Sequence, residues 1–148
     1  MLVWREGNLD EALEIIEEVH NEKTSSLTYG TKGVLLIEQA KINSDYEAIL
    51  PFMEEAYDYN DSDKTIADNL GETYFNLGEY EKAKEVYEKL LIKEFVTPMP
   101  YYNFGLVLKA LGENERALEN FKKALECRFT SVLTVTREIV QDQIDSLS

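Results

Sequence analysis

The stretch NLGETYFNLGEYEKAKEVYEKLLIKEF, residues 69–95, is answered by NFGLVLKALGENERALENFKKALECRF, residues 103–129. A shift of 34 residues lays Asn69 on Asn103, Gly71 on Gly105, Leu77 on Leu111, Gly78 on Gly112, Ala83 on Ala117, Tyr87 on Phe121 and Phe95 on Phe129. Small residues fall on small ones and aromatic on aromatic. Self-similarity at a period of about 20–50 residues marks stacked supersecondary units, each too small to bury its apolar face alone. The chain is therefore expected to be a solenoid.

The periodicity inside each copy is helical. Ile66, Leu70, Tyr74 and Leu77 recur at helical spacing and share one face, with Ser62 as the expected N-cap. After Gly78 the spacing resumes with Tyr80, Ala83, Val86, Tyr87, Leu90 and Leu91, which makes a helix hairpin. The second copy is expected to open with Thr97 as cap and Pro98 at the first helical position. Its two helices should run to about Leu111 and from Glu113 to Glu126. Glycine inside a helix costs about 1 kcal/mol against alanine. Gly71 and Gly105 therefore predict close approach of a partner helix, with Ala83 and Ala117 as the small surface opposite and Tyr87 and Phe121 filling the space between units.

In this order (LG or FG, then Tyr or Leu, then LGE, then Ala, then Tyr or Phe) the residues resemble the tetratricopeptide repeat, a helix-turn-helix unit of about 34 residues. The resemblance implies an all-α fold: a right-handed superhelix of stacked antiparallel helix hairpins closed by a capping helix. It divides residues 1–148, one domain, into a partial unit 1–24, a weak unit 30–63, clear units 64–97 and 98–131, and a capping helix 131–146. Phe95 and Phe129 stand where the family usually has proline near the end of a unit, which predicts an altered, aromatic turn. In the weak unit Ile37 and Ile49 replace small residues, and Pro51 is expected to kink the second helix. The segment 21–30 reads as an over-long, mobile loop. Only residues 1–6 remain of the first helix of the partial unit, so the chain reads as a fragment of a longer protein. In the capping helix Val132, Val135, Ile139 and Val140 should face the core, with Arg137, Glu138, Gln141 and Asp142 facing water.

With 29 acidic against 15 basic residues the net charge is −14, which repels nucleic-acid phosphates and anionic lipid. One cysteine, Cys127, cannot form an intramolecular disulfide and reads as a buried inert thiol. No run of about 18 apolar residues spans a membrane, and MLVWREGN is too short and mixed for a secretory signal. The segment is expected to be cytoplasmic, and a membrane anchor elsewhere on a longer parent chain is compatible with it.

Reactive groups are scarce: one histidine, no phosphate loop, no zinc-ligand spacing and no nucleophile elbow. His20 reads as a helix-end cap or a surface residue. Pairs such as Glu17 with Glu18 and Glu54 with Glu55 diverge by about 100° on a helix and read as solvated faces. The triplet Asn60, Asp61, Ser62 matches a glycosylation acceptor by chance. No catalysis, cofactor or metal is expected.

What remains is surface. The resemblance places a peptide-binding groove on the first helices, lined by Thr65, Asp68, Asn69, Glu72 and Asn76, then Met99, Tyr102, Asn103, Leu106 and Lys109, with Val34, Glu38 and Lys41 from the weak unit. Asn69 and Asn103 are expected to bond an extended peptide backbone beside an apolar platform of Met99, Tyr102 and Leu106. A branch of the family grips chaperone C-terminal carboxylates through Lys, Asn and Arg. Asp68, Glu72 and Leu106, with no arginine, make that clamp absent and favour a basic or neutral protein partner. Two further expectations are a homo-oligomer through an exposed patch of Leu13, Ile16 and Val19, and a regulatory or scaffold role within a larger enzyme or membrane-anchored protein.

Overall fold

A computed structural model of the chain describes residues 6–130, 133 and 135–147, and among them it holds eight α-helices and no strand. The chain packs as two compact units, the first ending at Glu79 and the second beginning at Tyr80.

The first unit contains α1 (Glu6–Glu22), α2 (Ser26–Asn43), α3 (Leu50–Tyr59) and α4 (Lys64–Asn76). α2 packs against all three of the others, and α3 against α4. Leu9, Met53 and Ile66 are each 1% exposed, Ile37 and Ile49 are also buried, and Tyr29, Ala56 and Ile66 pack as a cluster with Phe52 and Tyr57 against it. α2 approaches α4 closely at Gly30 and Gly33. A Cβ on Gly30 would lie 3.1 Å from the Thr65 side chain, and one on Gly33 would run into the Asn69 amide.

Several sequence expectations change here. The predicted mobile loop 21–30 is a tight turn, because α1 continues to Glu22 and Ser25 starts α2 early. The Thr28 N–H donates to the Ser25 Oγ at 3.1 Å and the Ser25 N–H donates to the Thr28 Oγ1 at 3.0 Å, a reciprocal capping box. Pro51 produces no kink. It lies in the first turn of α3, where its missing N–H has no intrahelical acceptor to lose. Asp63, not Ser62, caps α4: its carboxylate accepts the Ile66 N–H at 3.0 Å and places negative charge at the positive end of the helix. His20 is buried instead of exposed. Its Nδ1 and the Thr28 Oγ1 share a 2.7 Å hydrogen bond, and Tyr29 and Phe52 meet its ring edge-on. The expectation for residues 1–5 lies outside the described residues.

The second unit contains α5 (Tyr80–Leu90), α6 (Met99–Ala110), α7 (Asn114–Glu126) and α8 (Arg137–Leu147). The α6–α7 hairpin is its centre, flanked by α5 on α6 and α8 on α7. A Cβ on Gly105 would sit 2.5 Å from the ring of Phe121, which is fully buried, so the absent side chain makes room for that ring. Tyr87 stacks on Phe104 with centroids 6.0 Å apart, and Ala83 and Ala117 are fully buried.

α6 begins at Met99, with Pro98 as its N-cap residue, so the expected Thr97 cap shifts by one. α8 begins at Arg137, six residues later than the predicted start of the capping helix. Val140 and Ile144 are its buried apolar residues and Val135 is buried just before it, whereas Ile139 faces outward at 38% exposure. Position 139 is adjacent to the buried Val140, about 100° round the helix. Val132 lies outside the described residues.

The two glycines shared at the repeat step end α4 and α6 in the same way. Gly78 and Gly112 have φ of +77° and +79°. The Glu79 N–H donates to the Tyr74 carbonyl and the Glu113 N–H to the Leu108 carbonyl, each at 2.9 Å. Together with the glycine N–H bonds to Phe75 and Lys109, these are two Schellman closures, which favour glycine because L side chains resist positive φ.

Candidate peptide-binding face

In the first unit, Leu27, Thr31, Val34, Glu38 and Lys41 follow one another along α2 at steps of three and four, and so form one stripe. Thr65, Asp68, Glu72 and Asn76 form the matching stripe on α4. The two lie side by side, because the Gly30 end of α2 meets Thr65 and the Lys41 end meets Glu72. At the first end, Ser26, Leu27, Gly30, Thr31, Val34, Leu35, Asp63 and Thr65 line an open cleft of about 310 Å³. Leu27 is 77% exposed and Val34 43%.

The other end is electrostatic. Lys41 lies 3.8 Å from the Glu72 carboxylate and 3.3 Å from that of Glu38. Burial and the neighbouring Asp68 push the Glu72 carboxyl up to about 7, against the opposing pull of Lys41. For Lys41, burial acts downward, but Glu72 and Glu38 outweigh it and hold the ammonium above its usual range. Burial, with Glu72 next, also raises the Tyr46 phenol.

Asn69 does not face solvent. It is buried, and its Nδ2 donates to the Gly30 carbonyl at 3.1 Å, so this donor is spent on joining α4 to α2. The Asn76 Nδ2 donates to the Glu72 carbonyl of its own helix at 2.8 Å, with the residue exposed.

In the second unit, Met99, Asn103, Leu106 and Lys109 are half-buried on α6, and Tyr102 is buried. α8 takes part of this surface: the Lys109 Nζ donates to Gln143 Oε1 at 2.8 Å and to Ser146 Oγ at 3.1 Å. Burial raises the Tyr102 phenol, with a Gln143 hydrogen bond acting against it. On the α5 and α7 side a larger cavity of about 1000 Å³ is bordered by Glu88, Ile92, Phe95, Val96, Tyr101 and Arg128. The Phe95 N–H donates to the Tyr101 Oη at 3.0 Å, so the altered turn before α6 closes through an aromatic hydroxyl. Leu27 and Thr31 in the first unit and Ile92 and Val96 here were not anticipated. Their one sequence signal was an apolar or hydroxyl residue off the core stripe.

Among the described residues no group of three or more His, Cys, Asp and Glu is placed to hold a metal, and no helix is long and apolar enough to cross a membrane. Cys127 is buried and its thiol is pushed up by burial and by Glu126.

The sequence pattern of the tetratricopeptide repeat matches residues 66–91 and 100–128. Two segments of the chain therefore carry tetratricopeptide-repeat sequence. The first tetratricopeptide domain of human RPAP3 superposes with a TM-score of 0.65 at 15% identity, covering 82% of this chain and 88% of that one. Residues 41 to the end of MamA from Desulfovibrio magneticus RS-1 give 0.67 at 17%, covering 95% and 84%. A tetratricopeptide-repeat protein from Parabacteroides merdae gives 0.66 at 23%, covering 95% of this chain and 54% of that one. These likenesses establish an all-α, tetratricopeptide-type solenoid fold. No curated protein is significantly similar in sequence. Repeats of this kind generally mediate protein–protein interaction and are typically non-catalytic scaffolds.

Proposed function

We propose that the chain is a non-catalytic interaction module that binds a peptide or helix of a protein partner on its first-helix faces. The observation that carries this reading is the paired stripe on α2 and α4, where Leu27 and Val34 stay exposed beside a ready cleft while the core-facing side of the same helices is filled. Within the first unit Thr65, Asp68, Glu72 and Asn76 border such a partner; within the second, taken by itself, Met99, Asn103 and Leu106 offer a surface of the same kind. Asn69, Tyr102 and Lys109 support those faces from within. The free, buried Cys127 suits a reducing compartment, so a cytoplasmic setting belongs to the proposal. A photo-crosslinking residue at Thr31, compared with one at the exposed Glu85 on α5, tests the reading in lysate. Crosslinks concentrated at position 31 support it, and equal labelling at both positions defeats it.

A second reading is self-association through α1, favoured by the exposure of Ile15 at 56% and Val19 at 45%. The expected patch shifts, because Leu13 and Ile16 are half-buried. Sedimentation at several concentrations separates the readings: a dimer lost in Ile15→Ser with Val19→Ser supports this one, and a monomer throughout removes it.

A further inference from the structure

The α2–α4 face sets two chemically different places beside each other. One is the cleft walled by Leu27, Val34 and Thr65. The other is a group of carboxylates, Glu72 and Glu38 around the Lys41 ammonium, with Asp68 beside Glu72. At 3.8 Å the Lys41–Glu72 contact is too long for a hydrogen bond, and it leaves Glu72 poorly neutralised in a half-buried position. An incoming ammonium or guanidinium would complete that neutralisation. A neutral or acidic segment would leave it as it stands, and a second copy of this chain would bring 29 acidic groups against 15 basic ones.

We infer that this face receives a partner segment carrying an aliphatic or aromatic side chain for the cleft and a lysine or arginine about 10 Å further along for Glu72, Asp68 and Glu38. The separation follows from Thr65 and Glu72, seven residues apart on α4 at about 1.5 Å each. It equals about three residues of extended chain or two turns of helix. The net charge of −14 steers such a segment towards the protein, while the cleft fixes where its anchor sits. This inference deepens the interaction-module reading and rests on it.

The test is selection of a random 12-residue peptide library on the 148-residue chain, followed by affinity measurement of the enriched peptides. Three proteins are compared: wild type, Asp68→Asn with Glu72→Gln, and Leu27→Ser with Val34→Ser. All four positions keep solvent contact, and circular dichroism checks that each variant is folded. The expected peptides pair an apolar residue with Lys or Arg at one of the two spacings. Their binding should weaken about tenfold in each double variant, and between 0.05 and 0.5 M salt it should weaken further in wild type than in the uncharged variant. Peptides that need Leu27 and Val34 but lack cations, or are unaffected by the Asp68 and Glu72 changes, overturn the inference and leave the module reading standing. Peptides unaffected by either double variant overturn both.

Discussion

The side-chain amide of Asn69 on α4 donates to the backbone carbonyl of Gly30 on α2 at 3.1 Å, and both residues are buried. This bond holds the two stripes in register. Replacing Asn69 with alanine removes this inter-helix bond, while the Gly30 carbonyl keeps its acceptor role within α2, so the expected loss is about 0.5–1.5 kcal/mol. Urea unfolding of Asn69→Ala should show that loss as a lower midpoint with an unchanged slope. A neutral result would mean that the amide is not needed to hold α4 on α2.

Gly105→Ala sets two effects against each other. Alanine gains about 1 kcal/mol of helix propensity, whereas its methyl meets the fully buried Phe121 ring 2.5 Å away, an overpacking cost of about 1–3 kcal/mol. The clash wins, and thermal unfolding should be lowered. Gly105→Ala combined with Phe121→Leu should recover part of that loss, which a pure backbone effect would not.

The raised Glu72 pKa has a definite sign. Its folded value of about 7 lies above the ordinary 4.5, so the folded state holds the proton more tightly than the unfolded state. The stabilising contribution is full below about pH 4.5 and is lost as pH rises towards 7, by on the order of 1–3 kcal/mol. Asp68 on its own helix, Lys41 and Glu38 on α2 and Tyr46 in the following turn set the local field. Glu72→Gln should therefore raise stability at pH 8 and flatten this window in chemical denaturation run from pH 4 to 8. An unchanged profile would show that Glu72 is not held above its usual range.

Arg137 fastens α8 to the end of α7. Its guanidinium donates to the Leu125 carbonyl at 2.6 Å and to the Cys127 carbonyl at 3.3 Å, and it lies 4.6 Å over the Phe129 ring. Arg137→Ala should raise amide exchange across α8 with little change in α6 and α7. Arg137→Lys should recover it only partly, because an ammonium lacks the planar fork. Equal protection in both variants would place the hold on α8 elsewhere, in Val140 and Ile144.

The fold was legible wherever one residue type could satisfy a position. Gly78 and Gly112 mark positive φ, and Ala117 with Phe121 marks a dense contact, so all four could be read from spacing. Positions decided by competition were not. Ser62 and Asp63 both make plausible caps, and only the start of the helix selects the carboxylate. Pro51 reads as a kink until the helix is known to begin beside it. His20 reads as surface until Tyr29 and Phe52 close over it. At the candidate face, Asp68 and Glu72 could be read from the repeat register. Leu27 could not, because the end of the loop expected at 21–30 is the first turn of α2, and Thr31 carried no signal beyond its place at the start of the weak unit. Asn69 carried the right register but the wrong role, since a polar residue on a first helix can turn either to solvent or to the neighbouring backbone.

The hydrogen bonds that close the turns at Gly78 and Gly112 draw on groups no more than five residues away in the chain. Neither turn needs a distant donor or acceptor. Each copy of the 34-residue step thus carries the closing bonds of its own helix end within itself. An insertion between α5 and α6 would leave both closures intact, whereas one within residues 74–79 or 108–113 would break a closure.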